Sequence, residues 1–379
     1  MDFVDRTFHL HDPSSIIQKF DLGLNTNMNA SRVISWIGSL TKRNVEDLSV
    51  ALYQDDPFPI PSSIFTCESL VKLYLYITPN IYCPKNISFQ KLKSLTLNGV
   101  QFTGDSWNDQ LFVNCPVLEE LVLEDCSWFG IKKICILTPL LKQLQIVYYY
   151  YSKEDDLCDY YIQIHAPSLA SLTYWGIVAK DYDLSSFLAL DKAEVNFHEH
   201  KSTKEPRISQ GEALSKFLQA LSHVRSLSVH VQTGQVQSIA YDFVNNLPTF
   251  HNLNELELLH GAATTNKEIF ALLRAAPNLR CLVFDESSVL LSIDEKDETD
   301  KTEDLFRHLQ SVLFVEFSGE VRELRWAELI LKNAKSLQTM TIEYGTCHSK
   351  EKTPKSKEVV MSELLSFPRA SWRCVVKFI

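Results

Sequence analysis

The chain has 379 residues, with 37 Lys+Arg against 47 Asp+Glu, for a formal net charge of −10. Hydrophobic residues make up 45% of it, and 50 leucines stand against only 11 glycines. That much apolar content excludes a disordered chain. The scarce glycine leaves no GxGxxG, GxxxxGK[ST] or GxSxG loop for nucleotide or ester chemistry, and the acidic balance speaks against a binder of nucleic acid or anionic membrane.

From the N-terminus, MDFVDRTFHLHD places charges where a signal peptide needs an apolar run. Nine cysteines without a CxxC pair read as free, mostly buried thiols in a reducing compartment, so an intracellular protein of cytoplasm or nucleus is expected. An apolar L-x-x-L-x-L pattern then recurs along the chain. Its first-half copies are Ile17/Phe20/Leu22, Val45/Leu48/Val50, Leu70/Leu73/Leu75, Leu92/Leu95/Leu97, Leu118/Leu121/Leu123, Leu141/Leu144/Ile146 and Leu169/Leu172/Tyr174. It continues through Leu190/Ala193/Val195, Val224/Leu227/Val229, Leu253/Leu256/Leu258, Leu279/Leu282/Phe284, Leu309/Val312/Phe314 and Leu337/Met340/Ile342. The copies lie 21 to 34 residues apart, mostly within the period of leucine-rich repeats.

In each copy the last two apolar positions alternate with polar ones, which predicts a short strand with one apolar side. Stacked copies predict an α/β leucine-rich-repeat solenoid, with parallel strands on the concave face and helices or turns on the convex one. Helices are legible at Leu214, Phe217, Leu218 and Leu221, and at Ile269, Leu272, Leu273 and Ala276 with Pro277 ending the second. The polar runs 198–207, 294–304 (DEKDETDKTED, net −5) and 348–358 read as solvated insertions.

Solenoids bind along the concave face, so the positions between the leucines are the candidate contacts. They include Tyr74, Tyr76, Glu120, Glu124, Gln143, Gln145, Trp175, His230, Glu255 and Glu257. The aromatic groups are of the kind enriched at interface hot spots, and the carboxylates suit a basic partner. The same aromatics are also ordinary strand formers. Tyr148 to Tyr151 reads either as an aromatic binding edge or as strand and loop packing. His198 and His200 lack the further ligands a metal needs, so no metal or other cofactor is expected. Cys126 falls where such repeats close a turn and reads as structural.

These residues resemble the plant family of F-box proteins with leucine-rich repeats and a C-terminal FBD domain. The marks are FVDRTF at Phe3 to Phe8, Ser35-Trp36-Ile37 leading to Leu48, Pro59 to Phe65 followed by Cys67 to Leu73, Asn114-Cys115-Pro116 to Leu121, His165 to Leu169, and the ending. In that ending, Leu331 to Leu337 runs into Met340-Thr-Ile342, then Leu364 to Ser371 and a terminal strand Cys374 to Phe378. The resemblance implies repeats over 1–305 and an FBD-like end over 306–379. It implies a non-enzymatic module that binds a protein target, as in the substrate-recognition part of a cullin ubiquitin ligase. The family's F-box, with its L-P-x-x-[LI] opening, is not expected in residues 1–40, whose only proline is Pro13 and whose apolar spacing reads as strand-like. A Skp-type adaptor and cullin are therefore expected partners only of a longer form, and a ligase-independent scaffold or decoy is the alternative.

Overall fold

A computed structural model describes residues 2–10, 12, 15–24, 29–53, 60–82, 87–103, 112–148, 160–184, 187–198, 209–230, 243–259, 266–285, 302–345 and 356–379. The fold is an α/β leucine-rich-repeat solenoid built on parallel strands. It divides into two compact units, Met1–Ala189 and Leu190–Ile379.

The first unit contains β1 (Lys19–Leu24), β2 (Asp47–Tyr53), β3 (Lys72–Tyr82), β4 (Ser94–Thr103), β5 (Glu120–Glu124), β6 (Ser127–Phe129) and β7 (Lys133–Leu137). It continues with β8 (Gln143–Val147), β9 (Tyr161–His165), β10 (Ser171–Ile177) and β11 (Asp181–Asp183). The repeat strands pair in the order β1-β2-β3-β4-β5-β8-β10. Their register stacks the second motif position into one column, Phe20, Leu48, Leu73, Leu95, Leu121, Leu144 and Leu172. The third position forms another, from Leu22 through Val50, Leu75, Leu97, Leu123 and Ile146 to Tyr174. Nearly all of these side chains are buried, each worth about 1.5–3 kcal/mol against exposure.

Besides the helix Ala30–Lys42 and turns, this unit carries a layer that the expectation of helices or turns did not include: β11, β9 and β7 form a separate three-stranded parallel sheet. Short repeats leave little chain for a helix, and KICIL and YIQIH alternate like strands. Between the layers, Trp128 stacks on Phe102 with centroids 4.3 Å apart, and the Tyr160 hydroxyl donates to the Trp128 carbonyl at 2.6 Å.

The strand-like expectation for residues 1–40 holds at β1 alone, since helices occupy Asp2–Leu10 and Ala30–Lys42. Val33, Trp36, Ile37 and Leu40 fall at i, i+3, i+4 and i+7 and are buried, while Asn29 caps the helix by accepting from the Ser31 amide. The first helix is tied to the second through Asp5, whose carboxylate accepts from Trp36 Nε1 at 2.7 Å and pairs with Arg32. Arg43 donates to the Phe8 carbonyl at 3.1 Å.

The second unit contains β12 (Lys192–His198), β13 (Ser226–His230), β14 (Glu255–Leu259), β15 (Cys281–Phe284), β16 (Ser311–Phe317), β17 (Thr339–Tyr344) and β18 (Val375–Phe378), parallel and paired in chain order. Its columns are Ala193, Leu227, Leu256, Leu282, Val312, Met340 and Val376, and Val195 through Val229, Leu258, Phe284, Phe314 and Ile342 to Phe378. Helices Ser209–Ala220, Asn266–Ala275, Val321–Asn333 and Lys357–Ser366 supply the connections. The first two are those legible in the sequence. Trp326 of the third is fully buried against Phe270 and Phe284. The terminal strand pairs with β17 as the FBD-like ending implied.

One backbone device sets the register of both units. The carbonyl just before most of the repeat strands accepts two amides from the following repeat. Lys93 O takes Glu119 N (2.8 Å) and Glu120 N (2.9 Å), and Arg225 O takes Asn254 N (2.9 Å) and Glu255 N (3.1 Å). Because a one-residue slip would turn every leucine outward, these paired bonds and the apolar columns enforce the same register.

Candidate binding surface

The strand faces opposite the leucine columns carry the candidate contacts. In the first unit, Asp21, Ser49, Tyr74, Thr96, Val122, Gln145 and Thr173 form one row by register. A second row runs from Tyr76 through Asn98, Glu124 and Val147 to Trp175, and a third brings Glu120 beside Gln143. Glu120, Gln143 and Gln145 are exposed, Tyr74 is 39% exposed, and Tyr76, Glu124 and Trp175 are half-buried. Tyr53 joins them, its ring 5.0 Å from that of Tyr76.

The tyrosines feel one another and the nearby carboxylate. Partial burial pushes the Tyr74 hydroxyl up, with the Glu124 charge and Tyr53 adding to the effect. A hydrogen bond with Tyr53 holds Tyr76 up at about 12. Both therefore stay neutral donors at physiological pH, within reach of the Glu124 charge two strands away. A rigid aromatic group with an adjacent anion offers a cation both a π face and a countercharge. Sequence reasoning missed Tyr53, which continues the alternation of Ser49 and Ala51 on β2, a strand whose outward positions were not among the candidates.

In the second unit Glu255 is exposed and Glu257 half-buried. Glu257 accepts from Ser228 Oγ at 2.6 Å, and His230 Nε2 lies 3.3 Å from Glu194 Oε1. His230 and Glu257 are thus held by neighbours within the sheet, and Glu194 was a partner the sequence did not single out. Three positions expected to face outward, Asn98, Val147 and Ser228, are buried. Alternation assigns a side, but neighbouring side chains decide how much of it water reaches.

Of the remaining candidates, Cys126 is fully buried and its thiol donates to the Leu97 carbonyl at 3.4 Å, as expected of a turn-closing residue. Desolvation pushes that thiol up to about 12, which makes it unreactive. Tyr148 is buried, with its hydroxyl accepting from Trp128 Nε1. Tyr149 to Tyr151, His200, the acidic run through residue 301 and the polar run through residue 355 lie outside the described residues. Among the described residues no group of three His, Cys, Asp or Glu is placed to hold a metal ion. No described helix is long and apolar enough to cross a membrane.

Comparison with known proteins agrees with this architecture in both units. A family profile described as FBD-associated F-box protein At5g56370, LRR repeats, matches residues 33–193, and the FBD profile matches residues 303–342. F-box/LRR-repeat protein At4g14103 of Arabidopsis thaliana is 28% identical over 297 residues, covering 75% of this chain and 74% of the relative. Putative F-box/FBD/LRR-repeat protein At3g59240 of the same plant is 25% identical over 373 residues, covering 91% and 71%. F-box/LRR-repeat protein 13, also of Arabidopsis thaliana, is 27% identical over 395 residues, covering 98% and 82%. Other similar relatives are covered for as little as 56% of their length.

Proposed function

We propose that this chain, a relative of the plant F-box/FBD/leucine-rich-repeat proteins, is a protein-recognition module that performs no chemistry itself and takes its partner on the open strand face. The repeats of 1–305 form the recognition surface in this reading, and the FBD-like region of 306–379 continues them. One observation carries the reading. Parallel register sets Tyr74 and Tyr76 next to Tyr53, with Glu124 two strands on in the Tyr76 row and Gln145 and Trp175 farther along the same rows. Aromatic anchors within a polar, acidic surround are the composition of an interface hot spot for a basic segment. The resemblance to F-box proteins supports the finer role of substrate receptor for a cullin ubiquitin ligase in an intracellular compartment. The free thiols fit that compartment.

The test compares the full chain with a Tyr74→Ala/Glu124→Lys variant as baits in plant extract. Both substituted side chains are partly exposed, so the melting temperature is expected to stay unchanged. A partner captured by the parent and lost from the folded variant supports the reading, whereas equal capture by both overturns it. Co-purification of a Skp-type adaptor separates the ligase receptor from a ligase-independent scaffold.

A further inference from the structure

The strongest feature that protein recognition leaves unused is a polar groove of about 520 Å³ in the second unit, lined by Arg225, His251, Asn252, Asn254, Asn278, Arg280 and His308. It contains no carboxylate, although the chain as a whole carries a net charge of −10.

The repeat builds this groove. Arg225, Asn254 and Arg280 occupy the position just before β13, β14 and β15, where each carbonyl takes the paired amides of the next repeat. Successive repeats therefore place the two arginines two strand spacings apart, about 10 Å. His251 and His308 come from the turns feeding β14 and β16. Two asparagines tie successive turns before β13, β14 and β15 together, Asn252 Nδ2 donating to the His223 carbonyl at 3.3 Å and Asn278 Nδ2 to the His251 carbonyl at 2.8 Å. Arg225 is drawn to one side by Asp191 at 2.8 Å, while Arg280 has no carboxylate partner among the described residues.

We propose that this groove binds a compact phosphate-bearing ligand. Arginine forks suit phosphate oxygens, and imidazole and amide N–H groups add neutral donors. Its extent favours a small molecule over a nucleic-acid polymer. The liners span only β13 to β16, three strand spacings or roughly 14 Å, where a polymer needs an extended basic track. The volume falls in the range of small-ligand pockets.

The experiment titrates the full chain with sodium tripolyphosphate by calorimetry in chloride buffer, with Arg280→Glu and Arg280→Lys beside it. Binding by the parent, weakened at least tenfold by Arg280→Glu and partly retained by Arg280→Lys at unchanged melting temperature, supports the site. Inorganic phosphate and a phosphoserine peptide distinguish the source of the phosphate: tighter binding of either, with the same dependence on Arg280, keeps the site and assigns its ligand. No binding by the parent, binding indifferent to Arg280→Glu, or tighter binding of an unphosphorylated acidic peptide overturns it. Loss of the Tyr74/Glu124 surface does not alter this titration, so the two sites fail independently.

Discussion

The column of residues just before the strands means opposite things in the two units. In the first, Lys93, Glu119 and Lys142 follow one another, and the Glu119 carboxylate lies 2.6 Å from Lys142 and 3.2 Å from Lys93. The hydrogen bond from Lys142, then that from Lys93, holds this carboxyl below its ordinary range. In the second unit Arg225, Asn254 and Arg280 occupy the same backbone positions, but an amide stands where the carboxylate was. The first column closes on Glu119 from both sides, whereas in the second Asp191 engages Arg225 from one side only and leaves Arg280 facing the groove. A solenoid thus fixes where side chains stand, and a single residue type in the column decides whether a surface is closed or open.

The backing differs in parallel. Beyond its N-terminal helices the first unit packs strands and stacked aromatics behind its repeats, whereas the second packs helices. The largest effect is therefore expected at each unit's central tryptophan. Trp128→Ala, which removes the ring stacked on Phe102, and Trp326→Ala, which empties the space against Phe270 and Phe284, should each cost about 3–5 kcal/mol in urea unfolding. A loss below about 1 kcal/mol at either would mean that its backing layer does not support the repeats.

Glu323 comes next. It is fully buried and accepts from Ser318 N, Ser318 Oγ (3.0 Å) and Glu320 N (2.7 Å), closing a capping box on the helix Val321–Asn333. Glu323→Ala leaves those donors buried and should cost about 1–3 kcal/mol or more. Glu323→Gln, which keeps an acceptor, should cost less, and equal losses would count against the hydrogen-bond explanation. Nearby, Gly319 has φ +78° and its missing Cβ would collide with Val360, so Gly319→Ala should lower the melting temperature through strain and contact together.

Alkaline pH gives a smaller test that falls mainly on the first unit. Burial raises the Cys115 and Cys126 thiols to about 12. Above the ordinary thiol range the unfolded chain loses protons that the folded chain retains. Stability should therefore fall as pH rises through that window, by up to about 1.4 kcal/mol per pH unit for each thiol. Replacing both cysteines with alanine should flatten the slope, and an unchanged slope would place its origin elsewhere.

The smallest change in stability and the sharpest change in binding are expected from exchanging the two columns. Asn254→Glu places a carboxylate between Arg225 and Arg280, as Glu119 stands between its lysines. It should leave the melting temperature nearly unchanged while abolishing tripolyphosphate binding; persistence of binding would show that the arginines are not the recognition element.

Much of this was legible before any coordinates. The leucine columns follow from a period that buries the same two positions in every copy, and the helices at 209–220 and 266–275 follow from their i, i+3, i+4 spacing. The N-terminal helices were misread because Val33, Trp36, Ile37 and Leu40 sit among segments whose repeats read as strands. The sheet of β7, β9 and β11 was missed because three- and five-residue strands look like loop between stronger motifs.

The amino-acid sequence by itself determined which side chains lie inside, since burial of apolar surface is local and repeats with the period. It also determined which residues share a row on the open face. Tertiary structure alone decided that Tyr53 completes the tyrosine cluster, that Ser228 and Asn98 are covered, and that Arg225 and Arg280 line one groove. Those facts depend on register between strands more than twenty residues apart, and register is set by hydrogen bonds and packing across the stack rather than within any one repeat.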